Sequence, residues 1–293
     1  MTNFPAGTVT FLFTDIEGST RLAQKYPNAM PGLLARHNEI LNHAIQSHDG
    51  CVFQTAGDAF YAAFSSALDA LNAALEAQQH LNREPWSPSP LKVRMGIHTG
   101  LAQVSLDGKY SGYTTLALAQ RIMSAGYGGQ ILLSSTTYEL LRDFLPPQCE
   151  LQDMGERRLQ DLLRPERLYQ LNGAGLPTTF PPLKTLDSFP NNLPLQLTSF
   201  IGRGKEIHEV KRELAEHRLV TLTGPGGTGK TRLSLQAAAE LLDRFPHGIW
   251  FVELAPLSEP ELIPQAILTA IGINEQAGIP PVELLQDYLR GKS

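Results

Sequence analysis

The chain has 293 residues and a formal net charge of −5, with 42% apolar residues, enough for the cores of two globular domains. A mildly acidic chain with no block of Lys or Arg lacks the electrostatic footprint of a nucleic-acid binder, which excludes that class of partner. Its two cysteines, Cys51 and Cys149, form no CxxC pair and read as reduced thiols rather than a disulfide framework or a zinc site. No stretch reaches the ~18 apolar residues of a membrane span. The N-terminus carries no basic and apolar leader, so the expectation is a cytoplasmic protein with no membrane partner.

In chain order, VTFLF (9–13) is an apolar run bounded by turn chemistry, which predicts a strand. Residues 31–47 carry Leu33, Leu34, His37, Ile40, Leu41, Ala44 and Ile45 at helical spacing. Asp49-Gly50 ends that helix, and the runs 51–55 and 59–64 predict a hairpin around Gly57-Asp58. Ser65 or Ser66 can cap a helix whose face is Leu68, Leu71, Leu75, Gln78 and Leu81. After a proline-rich loop at 85–90, the runs 91–98 and 101–106 read as a second hairpin across Thr99-Gly100. A helix near 115–125, a strand at 130–133, a Ser135-capped helix to 144 and a strand at 166–171 complete a unit spanning 5–172. Strands arriving in pairs between helices give an α/β (α+β) class, one sheet with helices on one face, in the ferredoxin-like order βαββαβ.

Residues 173–194 are rich in Pro, Gly, Thr and Asn without periodicity and read as a linker. A second α/β unit is expected over 195–293, with strands at 218–223 and 249–254 around a glycine-rich loop and an Ala/Leu-rich helix.

Two aspartates carry the first chemical signal. Asp15 closes the first strand and opens the turn TDIEGST (14–20), and Asp58 sits in the tight turn AGDA (56–59). Either one alone is commonly a turn former or a helix cap. Together, on neighbouring strand ends and beside a small-residue turn into a helix, they can hold hard cations against a polyphosphate. His98 has no second His or Cys at metal spacing and reads as a structural strand histidine.

The segments FLFTDIEGST, GDAFYAAF, VRMGIHTG, GGQILLS and GERRLQDLLRPERLYQL follow one another in this order. The set resembles the catalytic domain of class III nucleotidyl cyclases over most of residues 8–171. That resemblance implies a homodimer with its active sites at the interface, converting a purine nucleoside triphosphate (ATP ahead of GTP) to the 3′,5′-cyclic monophosphate and pyrophosphate. Two Mg²⁺ or Mn²⁺ ions would sit between Asp15, Asp58 and the Ile16 carbonyl, one activating the ribose 3′-hydroxyl and the other neutralising the triphosphate. Backbone N–H groups of Glu17, Gly18, Ser19 and Thr20 would cradle the β- and γ-phosphates. Arg121, from the partner chain, would stabilise charge on the α-phosphoryl group.

The chain departs from the family pattern on the partner's half of the site. The base-reading Lys is Gln54, and its Asp partner falls on Lys109. The ribose-orienting Asn, four residues before the Arg, is Ala117, with one extra residue between Gly112 and this helix. A phosphate-binding Lys near the end of the domain is Gln160. The alternative reading is therefore a weak or inactive cyclase-like module that senses nucleotide and regulates a P-loop signalling ATPase.

GPGGTGKT (224–231), after an expected strand and before an expected helix, has the context of a P-loop. Gly224, Gly226, Gly227 and Gly229 let N–H groups converge on a β-phosphate, Lys230 reaches the β/γ oxygens, and Thr231 offers its hydroxyl to Mg²⁺, so ATP is the expected ligand. The flanks 191–203 and 245–256 resemble signal-transduction ATPases of the STAND/NB-ARC type. No acidic Walker B strand follows, and Glu253 lies on a strand whose acid is not the metal-binding one in that family. The unit is thus expected to be a partial, truncated P-loop domain.

Overall fold

The computed structural model describes residues 4–105, 110–160, 162, 164–187, 190–194, 203–274 and 278–292. The chain divides into two compact units, 1–159 with 165–183, and 160–164 with 184–293.

In the first unit, the apolar run becomes β1 (Gly7–Ile16), buried from residue 9 to 14 without alternation. Such a strand is covered on both faces. Leu12 and Ile16 face a core shared with two long helices, while Val9, Phe11 and Phe13 face a second core on the other side of the sheet. After β1 come α1 (Ser19–Lys25), α2 (Met30–Ser47), β2 (Cys51–Ala56), β3 (Ala59–Phe64) and α3 (Ala67–Arg83). Pro31 opens α2, where a missing N–H costs nothing, and Ser66 caps α3 by accepting a hydrogen bond from the N–H of Asp69. Next are β4 (Val93–Val104), β5 (Tyr110–Ser111), α4 (Tyr113–Ala125), β6 (Ile131–Ser134), α5 (Ser135–Leu141), β7 (Glu150–Arg157) and β8 (Glu166–Asn172).

The main sheet runs β2-β3-β1-β4-β6-β8-β7, with β5 pairing β4. The first four strands pair antiparallel in the order β2-β3-β1-β4, which is how a β-α-β-β-α-β run closes on itself; β4 and β6 then pair in parallel. β1 therefore lies between β3 and β4, and its C-terminal end is flanked by the β2–β3 turn and the start of β4.

In the first unit the structure corrects four expectations. Thr99-Gly100 is not a turn: β4 continues through it, with Thr99 opposite Thr10 and Gly100 opposite Val9. Gly100 is needed for a different reason, because a Cβ there would lie 2.7 Å from Thr115 at the start of α4. The cap of α5 is Ser134, which accepts from the N–H of Thr137; the Ser135 hydroxyl instead donates to Glu166. β7 was not anticipated, since its polar sequence at the sheet edge gives no apolar signal. Finally, the stretch from 173 is not a free linker as far as 183. Gln79 and Asn82 on α3 donate to the carbonyls of Ala174 and Gly175, Gln170 donates to that of Thr178, and Tyr127 to that of Pro182. Side-chain donors of the folded unit thus satisfy a backbone that has no ladder of its own.

In the second unit the described elements are α6 (Gly204–Glu216), α7 (Lys230–Glu240), α8 (Ile263–Ala270) and α9 (Pro281–Leu289), with two short 3₁₀ turns. Ile207, Val210, Leu233 and Ala237 make a small core between α6 and α7. The strands expected at 218–223 and 249–254 do not form among the described residues, where pairing amounts to one isolated bridge, Asn191 to Ile249. A strand is held by its neighbours, and 218–223 has none here. The α/β expectation for this unit is replaced by a helical one, with Leu219 left 83% exposed. No helix among the described residues is long and apolar enough to cross a membrane.

Gly96 lets α4 lie directly on β4, since a Cβ there would sit 2.5 Å from the backbone nitrogen of Met123. Backbone cannot step aside as a flexible side chain can. Gly96→Ala is expected to cost about 1–3 kcal/mol by overpacking. Urea denaturation would measure it, and an unchanged midpoint would show that α4 is not seated there.

Candidate active site

Asp15 and Asp58 come together because β1 lies beside the β2–β3 hairpin. Thr14 pairs with Phe60, so the turn carrying Asp58 overhangs the end of β1. The left-handed Gly57 (φ 64°) makes that turn tight. Asp58 Oδ2 accepts a hydrogen bond from the N–H of Ile16 at 2.9 Å, one residue along from Asp15. On the other side, Asp15 pairs in register with Arg94 of β4, whose Nε and Nη2 both donate to Asp15 Oδ2 at 2.9 and 2.5 Å.

Electrostatics at Asp15 is set by competing effects. Burial raises its pKa, Arg94 lowers it by charge and hydrogen bonding, the neighbouring Asp58 raises it, and His37 lowers it. The net shift is upward, so the arginine does not fully offset the loss of water. A half-buried carboxylate with a raised pKa, set beside a second carboxylate, is a place that favours additional positive charge.

A hard divalent cation fits this donor set. No group of three or more His, Cys, Asp or Glu side chains is placed to hold a metal among the described residues. Two carboxylates with space for carbonyl, water and phosphate oxygens are how Mg²⁺ is commonly bound, since it keeps several waters and shares its coordination with a substrate.

The other expected residues are placed as follows. The turn Glu17-Gly18 leads into α1, with Gly18 in the left-handed conformation (φ 72°). The N–H of Glu17 is taken by the carbonyl of Lys92 at 2.9 Å, so the expected four-residue phosphate cradle loses its first member. The Glu17 carboxylate, in turn, accepts from the N–H of Gly128. Gln54 is exposed on β2, opposite Tyr61. Lys109 lies outside the described residues. Arg121 and Ala117 lie on α4, and Gln160 lies in the loop between β7 and β8.

Three residues at the site carried no sequence signal of their own. Arg94 became visible only through the β1–β4 register. Tyr61 responds to both aspartates, its phenol raised by burial first and then by Asp15 and Asp58. His37 is fully buried on α2 with its ring edge-on to Phe60, and burial lowers its pKa against the pull of Asp58 and Asp15.

Residues 1–173 match the model of the adenylate and guanylate cyclase catalytic domain. The chain belongs to this family. An uncharacterised protein of Mycobacterium tuberculosis is 38% identical over 206 residues, covering 69% of this chain and 70% of that protein. A receptor-type adenylate cyclase of Trypanosoma brucei brucei is 29% identical over 57% of this chain and 17% of its own length. Among solved structures, an adenylate cyclase from Trypanosoma brucei in its monomeric state superposes with a TM-score of 0.56 at 27% identity, covering 61% of this chain and 94% of that one. The adenylyl cyclase CyaB from P. aeruginosa gives 0.51 at 25% identity, covering 57% and 95%. The family match ends at residue 173, and none of these comparisons shows a P-loop ATPase region.

His98 belongs to a different network. Its Nδ1 is 2.8 Å from Ser134 Oγ, and the chain of hydroxyls continues through Thr137 and Thr99 to Thr10. Burial pulls its pKa down to about 4. The unfolded chain takes up this proton first, near pH 6.5. Stability present above 6.5 is therefore lost as the pH falls toward 4, by up to about 3 kcal/mol. Urea midpoints of wild type and His98→Gln between pH 7.5 and 4.5 should diverge, the variant profile being flatter; parallel profiles would refute the assignment.

Proposed function

We propose that this chain is a nucleotidyl cyclase that takes ATP ahead of GTP, forming the 3′,5′-cyclic monophosphate and pyrophosphate. The observation that carries the reading is the Asp58 carboxylate fixed on the N–H of Ile16 beside Asp15. The preference for ATP is supported by the adenylate cyclases among its relatives.

Asp15, Asp58 and the Ile16 carbonyl would hold two Mg²⁺ or Mn²⁺ ions. When bound, these ions lower the pKa of the ribose 3′-hydroxyl and neutralise the triphosphate. The backbone N–H groups of Gly18, Ser19 and Thr20 are proposed to receive phosphate oxygens. Gln54, the register partner of Tyr61, offers an amide donor and acceptor to a purine edge. The titratable groups acting on Asp15 come from the β2–β3 turn, β4 and α2 of the same chain, as Asp58, Arg94 and His37. Arg121, on α4, is proposed to serve the site of a second copy, where its guanidinium would bond the α-phosphoryl oxygens as charge builds. The active form in this reading is a homodimer, and the cyclase unit that goes with it runs on from 5–172 through the packed stretch to 183.

A second reading, a nucleotide-sensing module of low or no turnover, is favoured by one specific observation: Ala117 stands where a ribose-orienting Asn is expected, and Ala has no side-chain donor. The loop 224–231 is proposed as a separate ATP site. Supporting it, α7 begins at Lys230 and Gly229 takes the left-handed conformation (φ 80°). Lys230 Nζ meanwhile rests on the carbonyls of Gly224 and Pro225.

Incubation with ATP or GTP and Mn²⁺, followed by chromatography for cyclic nucleotide, tests the first reading. Asp15→Asn and Asp58→Asn should each lower the rate by about 10²-fold or more, the scale of losing a group aimed at transition-state charge. Ala117→Asn combined with Gln160→Lys should raise it by about 10-fold or more. Nucleotide bound without product, in wild type and in the restored variant alike, would favour the sensing module.

A further inference from the structure

The turn that follows Asp15 is pinned at Glu17 by both backbone and side chain. The Glu17 N–H donates to the carbonyl of Lys92, just before β4, at 2.9 Å, and its carboxylate Oε2 accepts from the N–H of Gly128 at 3.0 Å. The first bond sets the direction of the preceding carbonyl. A trans peptide is planar, so turning the Glu17 N–H toward β4 turns the Ile16 carbonyl the opposite way. That is the side on which the Ile16 N–H meets Asp58, because an extended residue presents its N–H and C=O to the same neighbour. The second bond fastens the turn to the loop 127–130 between α4 and β6, whose last three residues are buried. Gly128 lies so close to Lys92 that a Cβ would sit 2.9 Å from that same carbonyl oxygen. The loop is also held by the stretch 173–183. The Tyr127 hydroxyl donates to the carbonyl of Pro182 at 2.9 Å, and Gln130 donates to Gln170, which donates in turn to the carbonyl of Thr178.

We propose that Glu17 is a positioning residue, whose side chain clamps the Ile16 carbonyl in the direction a metal at Asp15 and Asp58 needs, and that the stretch 173–183 braces this clamp through Tyr127. This rests on the two-metal reading given above. A neutral carbonyl is a weak ligand whose worth depends on where it points, and Mg²⁺ demands near-ideal octahedral geometry. A carbonyl at the end of a strand, where the ladder stops, is free to swing unless its peptide is held on both sides. Glu17 holds it through its own N–H and through the loop that packs on the accepting carbonyl. The role calls for a hydrogen-bond acceptor at position 17 and not for a charge on the ion, which separates Glu17 from the two metal aspartates. The segment that leaves the last strand is joined to the same peptide through Tyr127 and Gly128, so its seating bears on the metal site.

The test is a Mn²⁺ titration of the whole chain read by electron paramagnetic resonance, paired with hydrogen exchange of the residue 17 amide read by NMR. Glu17→Ala should bind Mn²⁺ about tenfold more weakly than wild type and exchange that amide faster, the scale of losing a group that orients a metal ligand. Glu17→Gln keeps a carbonyl oxygen for the Gly128 N–H and should stay within about twofold of wild type, which also guards against a general folding defect. Tyr127→Phe removes one hydroxyl of the brace and should weaken Mn²⁺ binding about threefold, with little further loss when combined with Glu17→Ala. Wild-type affinity in Glu17→Ala overturns the proposal. So does a glutamine variant as weak as the alanine one, because the carboxylate would then act by its charge. Tyr127→Phe without effect, or with a loss that adds in full to that of Glu17→Ala, overturns the brace. If Asp15→Asn abolishes Mn²⁺ binding while Glu17→Ala changes nothing, the metal site stands and the positioning role alone is lost. If Asp15→Asn leaves Mn²⁺ binding unchanged, the two-metal reading fails and this inference with it.

Discussion

The N–H of Ile16 donating to Asp58 Oδ2 is the contact on which the candidate site depends. It exists because β1 lies between β3 and β4, so that the end of one central strand meets a hairpin turn on one side and an arginine-bearing strand on the other. Main-chain ladders fix all three backbones, and side chains only complete the arrangement. A site built on strand ends in this way needs little conformational ordering before a ligand arrives.

The two faces of β1 divide the work. Leu12 and Ile16 join the core under α2 and α3, whose spacing of apolar residues is what makes them helices. Phe11 and Phe13 meet Phe53, Tyr61 and Tyr110 edge to face on the opposite side. Asp15 shares that aromatic side and therefore loses much of its hydration. The raised carboxylate pKa is a direct consequence of the alternation along the strand, and it is this loss of hydration that makes added positive charge favourable there.

Much of this was legible from residues alone. The 3.6-residue spacing from Leu33 to Ile45, the apolar run at 9–13 and the Gly57-Asp58 turn each depend on local chemistry, and each appears close to the expected place. What escaped depends on partners distant in sequence. Thr99-Gly100 has the composition of a turn, yet β1 pairs straight across it and α4 needs the missing Cβ. Arg94 gains its meaning only from lying opposite Asp15, 79 positions away. The apolar segment 218–223 fails in the other direction. Its composition is that of a buried strand, but a strand is a collective structure, and no neighbouring described segment pairs with it.

That last feature bears on how the molecule behaves in a test tube. A β-prone stretch outside any ladder among the described residues, with Leu219 turned to solvent, has the greasy surface that recruits a foreign strand. Leu222 packs against the small core between α6 and α7, while Leu219 stays outside it. Concentrated solutions should therefore lose protein through the C-terminal half first, and limited proteolysis should trim that half while the cyclase unit remains intact.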